Sequence, residues 1–370
     1  KIIAWEILAD GKVVHQESGL QLNVLPREKR TLHLKNFPTK FDQNKEYILQ
    51  VSLLQKDDEP LITKNYEIAW DQFLLKKGIN TAIKTELTND LKITKSGQIE
   101  LKNKQVDFKI DPNTGELTYW SFEGKLITDS AIRPSFWRAP TDNDLGNGMD
   151  KWAKIWQKAT YNYTAKLIEN PVKNENGVSF KVAYFLPNKE ADVAINFTIY
   201  PNGSLQADYQ FKPKENGLPN IPRLGLYLTL PKSFTEITWY GKGPQESYWD
   251  RKKGEKIGLY SGKVDEQFHR YPRPQETGNK TDVRWVKLSG NQISLTARPI
   301  NDHLLNTSVW PFSMKELDFD SDIDGAESAS GLVPVTKKHG ADIKLGNIVQ
   351  WNIDLQQMGV GGDTSWGRLV

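Results

Sequence analysis

The chain has 370 residues, and its 49 Lys and Arg against 46 Asp and Glu give a formal net charge of +3. A balance this even gives no reason to expect nucleic acid or a membrane surface as a partner. Hydrophobic residues make up 38% of the chain, enough for a buried core, and no apolar run approaches the ~18 residues that cross a bilayer. The absence of cysteine excludes disulfides, thiolate nucleophiles and cysteine-ligated metal sites.

The aromatic content is high, with 12 Trp, 13 Tyr and 14 Phe. Tryptophan at this density has two interpretations, namely core positions of β-sheets and flat platforms that stack on sugar rings. The chain begins at Lys1 rather than at a methionine, and we expect it to be part of a longer polypeptide.

Apolar and polar residues alternate in several short runs, which is typical of strands with one face on a core. The clearest runs are 47–53, 106–110, 205–211 and 349–355. Turn signals separate such runs, among them Asp10-Gly11 and Asn202-Gly203. For Asn202-Gly203 we predict a two-residue hairpin turn with positive φ at both residues. Without βαβ alternation, the pattern predicts an all-β chain.

One segment has helical spacing instead. After a predicted loop over residues 142–148, apolar residues recur every three or four positions, which predicts one short amphipathic packing helix. These residues are Met149, Trp152, Ile155, Trp156 and Ala159.

We predict a domain boundary near residues 70–85. The first part has about the length of a small β-sandwich that lacks its opening strand, and the many short strands after it suit one large antiparallel domain.

Two other patterns raise the question of ligand binding. The glycine clusters 241–243 and 359–362 have neither the spacing nor the following helix of a phosphate-binding loop. The alternate carboxylates Asp320, Asp322 and Asp324 resemble the start of a calcium loop, but Gly331 stands where the bidentate Glu is needed. Calcium is thus a weak candidate, and a solvated surface loop over residues 318–324 is favoured.

Five histidines are too few and too scattered to indicate a metal site. His269 lies just before Glu276, and such a pair could act as acid and base on a sugar hydroxyl. A structural histidine is the favoured alternative.

Three segments combine polar side chains with glycine or proline and aromatic residues: RPSFWRAPTDNDLGNG (133–148), WYGKGPQESYWDR (239–251) and MGVGGDTSW (358–366). Such mixtures are typical of functional loops on a rigid sheet. Buried corner loops, in which Arg138 and Asp142 or Asp144 satisfy backbone groups, are an equally good interpretation.

The same three segments, in this order, resemble the C-terminal part of bacterial β-galactosidases of glycoside hydrolase family two. Their signatures are R-A-P-x-D-N-D-x-G, W-x-G-x-G-P-Q-E-x-Y-x-D-R and M-G-x-G-G-D-x-S-W. The resemblance covers essentially the whole chain.

For the fold, the resemblance implies a partial immunoglobulin-like sandwich over residues 1–76. It implies a large antiparallel supersandwich, similar to galactose mutarotases, over residues 77–370. The catalytic (β/α)₈ barrel and its two glutamates lie upstream in such enzymes. Retaining hydrolysis needs two carboxyl groups about 5–5.5 Å apart, so we expect this chain to be inactive alone.

For the site, the resemblance implies that Trp366 is a stacking platform for the group attached to the galactose. Asp142, Asn143, Asp144 and Gly146 match a mobile loop beside the sugar, with Gly146 as its hinge. Only a structural role is expected for residues 245–246.

For partners, the resemblance implies a galactoside substrate and the catalytic barrel of the same polypeptide. It also implies a homo-oligomeric parent enzyme that can use a divalent metal, whereas no cofactor is expected in this part.

Three functions stay open on the sequence. The first is the site-completing part of a β-galactosidase, without catalysis of its own. The second is an aldose mutarotase or epimerase that uses His269 and Glu276, and the third is a carbohydrate-binding module. Fold alone does not choose among them.

Overall fold

The computed structural model describes residues 1–78, 90–290, 292–300, 302–318, 326–327, 334–335 and 338–361. Strands account for 48% of the structure and helices for 8%, and the sheets are antiparallel. The predicted all-β class is therefore confirmed.

The first 78 residues contain one four-stranded sheet in the order β2-β1-β3-β4. Its strands are β1 Ile2–Ala9, β2 Lys12–Gln21, β3 Tyr47–Leu54 and β4 Glu67–Lys76. Trp5 and Ile7 of β1 are buried on one face, where Leu34, Phe37 and Phe41 pack against them. Because these three residues come from the segment between β2 and β3, irregular chain covers this face of the described sheet.

The hairpin between β1 and β2 brings this sheet against the rest of the chain. Asp10 and Gly11 form its two-residue loop, and both have positive φ, at 47° and 79°. A Cβ atom on Gly11 would lie 2.9 Å from the ring of Tyr240. Glycine is therefore required here for two reasons, the backbone conformation and the close approach of Tyr240.

Charged groups join the same two parts. The Glu46 carboxylate accepts hydrogen bonds from the Tyr240 hydroxyl and from the Arg284 guanidinium, each at 2.9 Å. Lys256 donates to Glu67 at 2.6 Å. Since Glu46 and Arg284 are largely buried, each would be costly to leave without the other.

The other strands that the structure describes lie in the second part of the chain, from residue 90 onwards. They are β5 Lys92–Ser96, β6 Gln98–Lys102, β7 Val106–Ile110, β8 Leu117–Phe122, β9 Lys125–Thr128, β10 Arg133–Ser135, β11 Thr164–Lys173, β12 Val178–Phe185, β13 Ala191–Ile199, β14 Leu205–Pro213, β15 Arg223–Pro231, β16 Glu236–Gly243, β17 Lys256–Lys263, β18 Lys280–Val283, β19 Trp285–Gly290, β20 Ile293–Ala297, β21 Leu305–Trp310, β22 Ala326–Glu327, β23 Pro334–Val335 and β24 Ile348–Gln357. They pair in the orders β5-β6-β7-β8-β9, β11-β12-β13-β14, β10-β15-β24-β21-β18, β17-β16-β19-β20 and β22-β23.

Several of the tryptophans belong to the core of this second part. One extended apolar cluster runs through its sheets. At most 2% of the surface of five of its tryptophans is exposed, namely Trp137, Trp156, Trp239, Trp310 and Trp351. For these five, the core interpretation of the aromatic content is the correct one.

The predicted two-residue turn at Asn202-Gly203 is wrong. Five residues, 200–204, connect β13 to β14, and only Gly203 of the predicted pair has a positive φ, 87°. The Gly203 amide donates to the Tyr200 carbonyl, which closes a four-residue turn with Pro201 at its second position. Proline favours that position because its ring fixes φ near the value that the turn needs.

The helical segment also differs in detail from the prediction. The predicted loop contains a short helix, α1 Asp142–Gly146, and the predicted single helix is divided at Ala153 into α2 Met149–Trp152 and α3 Lys154–Tyr161. In the described parts of the chain, 3₁₀ turns lie at Val264–Glu266, Met314–Glu316 and Gly340–Asp342. Among the helices that the structure describes, none has the length and apolar character to cross a membrane.

Asp318 is not the solvated residue that the acidic run predicts. Its side chain is half-buried and accepts hydrogen bonds from Trp137, Gln157 and Tyr161. Residues 319–325, the rest of that run, lie outside the described residues.

The Gly11 contact leads to a prediction with a matched control. Gly11→Ala should lower the free energy of unfolding by about 2–4 kcal/mol, because a left-handed φ and a clash with Tyr240 act together. Gly19 also has a positive φ, 99°, but its added Cβ would meet no atom within 4 Å. Gly19→Ala should therefore cost only about 1 kcal/mol. Urea denaturation checks both, and equal costs would contradict a tight contact at Gly11.

Candidate functional site

The three polar segments found in the sequence meet in the structure. Arg138 of the first donates to backbone carbonyls of the third, and Asp250 of the second accepts from backbone amides of the third. We call residues 138–146, 248–251 and 358–361 together the three-segment junction. Its parts come from places more than 100 residues apart, so only the folded sheets bring them together.

Arg138 is the central side chain of the junction and is fully buried. Its guanidinium donates to the carbonyls of Met358 and Gly359, both at 2.6 Å. It also donates to both carboxylate oxygens of Asp144 at 2.9 Å. The Asp144 side chain has no exposed surface either, so the buried charges compensate each other.

The same carboxylate starts helix α1. The Thr141 side chain accepts from the Asp144 amide, and the Asp144 side chain accepts from the Thr141 amide, which is a capping box. Gly146, the expected hinge, lies in α1 without a positive φ, whereas Gly148 after it has a φ of 76°. The helix itself therefore does not require glycine at position 146, and the hinge role of Gly146 stays a prediction.

Two residues at the start of α1 face outwards. The Asp142 side chain is 65% exposed and pairs with Arg273 at 3.2 Å and with the Gln275 amide at 3.0 Å. Asn143 is exposed and donates to the Val360 carbonyl at 2.8 Å. Polar groups of α1 thus lie at the surface of the junction, while Asp144 is buried beneath them. Sugar binding by Asp142, Asn143 and Asp144 stays a prediction.

Glu246, within the second segment, anchors that segment to neighbouring parts of the chain. It accepts hydrogen bonds from the Tyr271 hydroxyl, the Arg251 guanidinium and the Gly278 amide. Burial alone would raise the pKa of Glu246, but these donors together hold that pKa below its ordinary value. Such a carboxylate is an ionised structural anchor.

A second buried arginine lies on strand β15. Arg223 donates to Glu276 at 2.9 Å, and its Nε lies 3.1 Å from Asp354 on β24, although that N–H is not aligned for a hydrogen bond. All three side chains have no exposed surface. Burial raises the pKa of Asp354 to about 7 and also raises the pKa of Glu276, against the attraction of Arg223. Two carboxylates beside one guanidinium favour a proton held on the pair.

His269 and Glu276 are not joined in this structure. His269 is exposed and contacts the ring of Tyr271 edge-on, whereas the buried Glu276 faces Arg223. No hydrogen bond or ion pair connects the two side chains, both of which the structure describes. No observation here favours the acid–base pair of a mutarotase or epimerase.

Several predicted site residues lie outside the described residues. These are Trp366 and the weak calcium candidates Asp320, Asp322 and Asp324. Within the described ranges, no three His, Asp or Glu side chains are grouped so as to hold a metal ion.

One residue of the junction, Asp250, and two residues that contact Asp142, namely Arg273 and Gln275, have no role in the prediction from sequence, although Asp250 lies inside a quoted motif. Asp250 precedes an arginine, which is the obvious partner in the sequence, yet its partners are backbone amides of another segment. Spacing along the chain carries no signal for such a contact.

Arg138 allows a direct test of the junction. Arg138→Ala should lower the free energy of unfolding by about 3–5 kcal/mol, because the buried Asp144 charge loses its cation and the two buried carbonyls lose their donor. Arg298→Ala is the control, since Arg298 is exposed. That change should cost less than about 0.5 kcal/mol in the same urea denaturation experiment. A similar cost for both variants would contradict the central role of Arg138.

The raised pKa of Asp354 predicts a pH dependence. In the folded state the Asp354 carboxyl keeps its proton up to about pH 7, whereas in the unfolded state it loses the proton near pH 3.8. The contribution of this proton to the free energy of unfolding therefore falls as pH rises towards 7 and is lost above that value. The difference in unfolding free energy between wild type and Asp354→Asn should change by up to about 1.4 kcal/mol per pH unit between pH 5 and 7. It should level off by pH 8.5. Asp265→Asn, at an exposed position, should show no such change; an equal slope would contradict the assignment.

Comparisons with known proteins agree with this architecture. The family described as "Beta galactosidase small chain" matches residues 102–370, and "Beta-galactosidase, domain 4" matches residues 2–76. The β-galactosidases of Priestia megaterium and Lactobacillus delbrueckii subsp. bulgaricus are each 31% identical over 98% of this chain. The β-galactosidase of Halalkalibacterium halodurans is 29% identical over 94%. The chain spans about a third of the length of these relatives. The chain therefore belongs to the β-galactosidase small-chain family.

Proposed function

We propose that this chain is the C-terminal part of a β-galactosidase, in which it completes the sugar site without supplying the catalytic groups. The convergence of three polar segments at one junction is the observation that carries the proposal. The relatives that the chain matches are β-galactosidases, and it corresponds to about a third of each.

The chemistry of the junction supports binding and orientation. Helix α1 offers the exposed side chains of Asp142 and Asn143, whose oxygen and nitrogen atoms can hydrogen-bond sugar hydroxyls. The buried Arg138–Asp144 ion pair fixes the position of the helix on its buried side. Held in this way, α1 loses little conformational freedom when a sugar binds, which favours binding.

Three carboxylates in or beside the junction support the proposal that this chain has no catalytic pair. Retaining hydrolysis uses one carboxylic acid and one nucleophilic carboxylate about 5–5.5 Å apart. Asp144 forms an ion pair with Arg138. Asp250 accepts hydrogen bonds from two backbone amides, and Glu246 accepts hydrogen bonds from several donors. All three are therefore engaged in holding the fold. We infer that the reacting pair comes from a (β/α)₈ barrel of the same polypeptide, with retention of configuration.

The family resemblance also suggests the substrate, partners and cofactors of the whole enzyme. We propose a terminal β-galactoside as substrate, a homo-oligomeric enzyme and, outside the residues described here, a divalent metal. The Trp366 platform belongs to this proposal too. An indole face binds the apolar face of a sugar without a fixed hydroxyl pattern, so it suits a varied leaving group.

The test compares two proteins on a nitrophenyl β-galactoside. Residues 1–370 alone should release no nitrophenol above the buffer rate, because the nucleophile and the acid are missing. The polypeptide that joins this chain to its barrel should hydrolyse the substrate, and removal of residues 1–370 should abolish that activity. Hydrolysis by residues 1–370 alone would contradict the proposal.

Optical rotation of fresh α-galactose tests the alternative of a mutarotase or epimerase. Residues 1–370 should not accelerate mutarotation. Acceleration that His269→Ala abolishes would instead establish the epimerase function.

A further inference from the structure

The second motif segment ends in a tight turn that reaches the glycine-rich third segment. Tyr248 and Arg251 exchange two backbone hydrogen bonds, at 3.2 and 2.8 Å, which leaves Trp249 and Asp250 at the tip of the turn. Tyr248 is buried beneath the tip. The position of Asp250 is therefore fixed by a short, anchored turn.

Asp250 binds the backbone of the third segment through both carboxylate oxygens. One oxygen accepts from the Val360 amide at 3.1 Å, and the other accepts from the Gly361 amide at 2.8 Å. Successive backbone amides that point at one anion form a concave anion site, here occupied by a side chain. The contact also explains one glycine of the motif, because a Cβ atom on Gly359 would lie 2.4 Å from a carboxylate oxygen of Asp250.

The opposite edge of the same segment faces positive charge. The carbonyls of Met358 and Gly359 accept from Arg138, while the amides of residues 360 and 361 point to Asp250. Peptide dipoles are favoured when the carbonyl faces a cation and the amide faces an anion. The segment 358–361 is thus held between two opposite charges, and Asn143 of α1 joins it at the Val360 carbonyl.

We propose that Asp250 is a positioning residue of the galactoside site, which fixes the segment 358–361 against helix α1. The inference rests on the proposed function, because that function gives the junction its sugar. Asp250 itself is occupied by the two amides, so it acts through the backbone that it holds. Loss of its carboxylate should loosen one wall of the site and weaken galactoside binding, while the catalytic pair elsewhere is unchanged.

The first experiment measures the contact in residues 1–370. In Asp250→Ala, the amides of residues 360 and 361 should exchange with deuterium at least about tenfold faster than in wild type, because their acceptor is gone. Asp250→Asn keeps the size and one acceptor oxygen, so an intermediate rate is expected. Asp129→Ala, at an exposed position, should leave both rates unchanged. Unchanged exchange in Asp250→Ala would overturn the proposal.

A double-mutant cycle shows whether the effect comes from this contact. Gly359→Ala should accelerate the same exchange in the wild-type background, because the new methyl group clashes with the carboxylate. In the Asp250→Ala background the clash partner is absent, and Gly359→Ala should have little further effect. Additive effects of the two changes would overturn the proposal.

The second experiment uses the polypeptide that carries this chain together with its catalytic barrel. Asp250→Ala should raise KM for a galactoside about fivefold or more, with kcat within about twofold, because ground-state positioning is lost. Asp250→Asn should recover part of the change in KM. If the wild-type polypeptide hydrolyses galactosides and Asp250→Ala has a normal KM, the inference fails. If the wild-type polypeptide hydrolyses no galactoside, the proposed function itself fails.

Discussion

A buried positive charge holds the three-segment junction together. Arg138 has no exposed surface, and its guanidinium donates to Asp144 and to two carbonyls of the third segment. Taking a guanidinium out of water costs several kcal/mol, which only a nearby anion and well-placed acceptors can offset. Arg138 is therefore stable in its position only when α1 and residues 358–361 are both in place. This mutual dependence makes the two segments one structural unit.

Buried arginine–carboxylate pairs also occur elsewhere in the chain. Arg223 lies between Glu276 and Asp354, and Arg284 lies beside Glu46 where the first sheet meets the second part. The backbone hydrogen bonds of an antiparallel sheet fix its strands but not the loops between them, which need contacts of their own. Buried ion pairs favour one arrangement of the strands and loops that carry them, because any other arrangement leaves a charge without its partner. A sugar site assembled from loops depends on such a fixed arrangement.

Periodicity was sufficient to predict much of the fold. The alternation of Val106, Phe108 and Ile110 corresponds to strand β7, whose three apolar side chains are buried. The two-residue turn predicted at Asn202-Gly203 was wrong because Pro201 favours a turn that begins one residue earlier, within a five-residue connection. Helix α1 was predicted as a loop because five residues are too short for an apolar period, and its start depends on a capping aspartate.

The site was less predictable than the fold. The motifs identified the three segments that meet at the junction, and the sequence suggested Arg138 with Asp142 or Asp144 as groups that satisfy the backbone. The role of Asp250 was not predicted, because its partners are amides that every residue carries, and only their placement in space distinguishes them.

In the function proposed, residues 1–370 form one wall of a galactoside site whose reacting groups lie elsewhere. A crystal structure of the barrel-containing enzyme with a bound galactoside would show whether they do. We predict that side chains of α1 lie within hydrogen-bonding distance of the ligand, about 2.7–3.2 Å, or one water away, beside the segment 358–361. Both carboxylates at the anomeric carbon should come from outside this chain. A galactoside bound away from the junction, or a carboxylate of residues 1–370 at the anomeric carbon, would contradict the account.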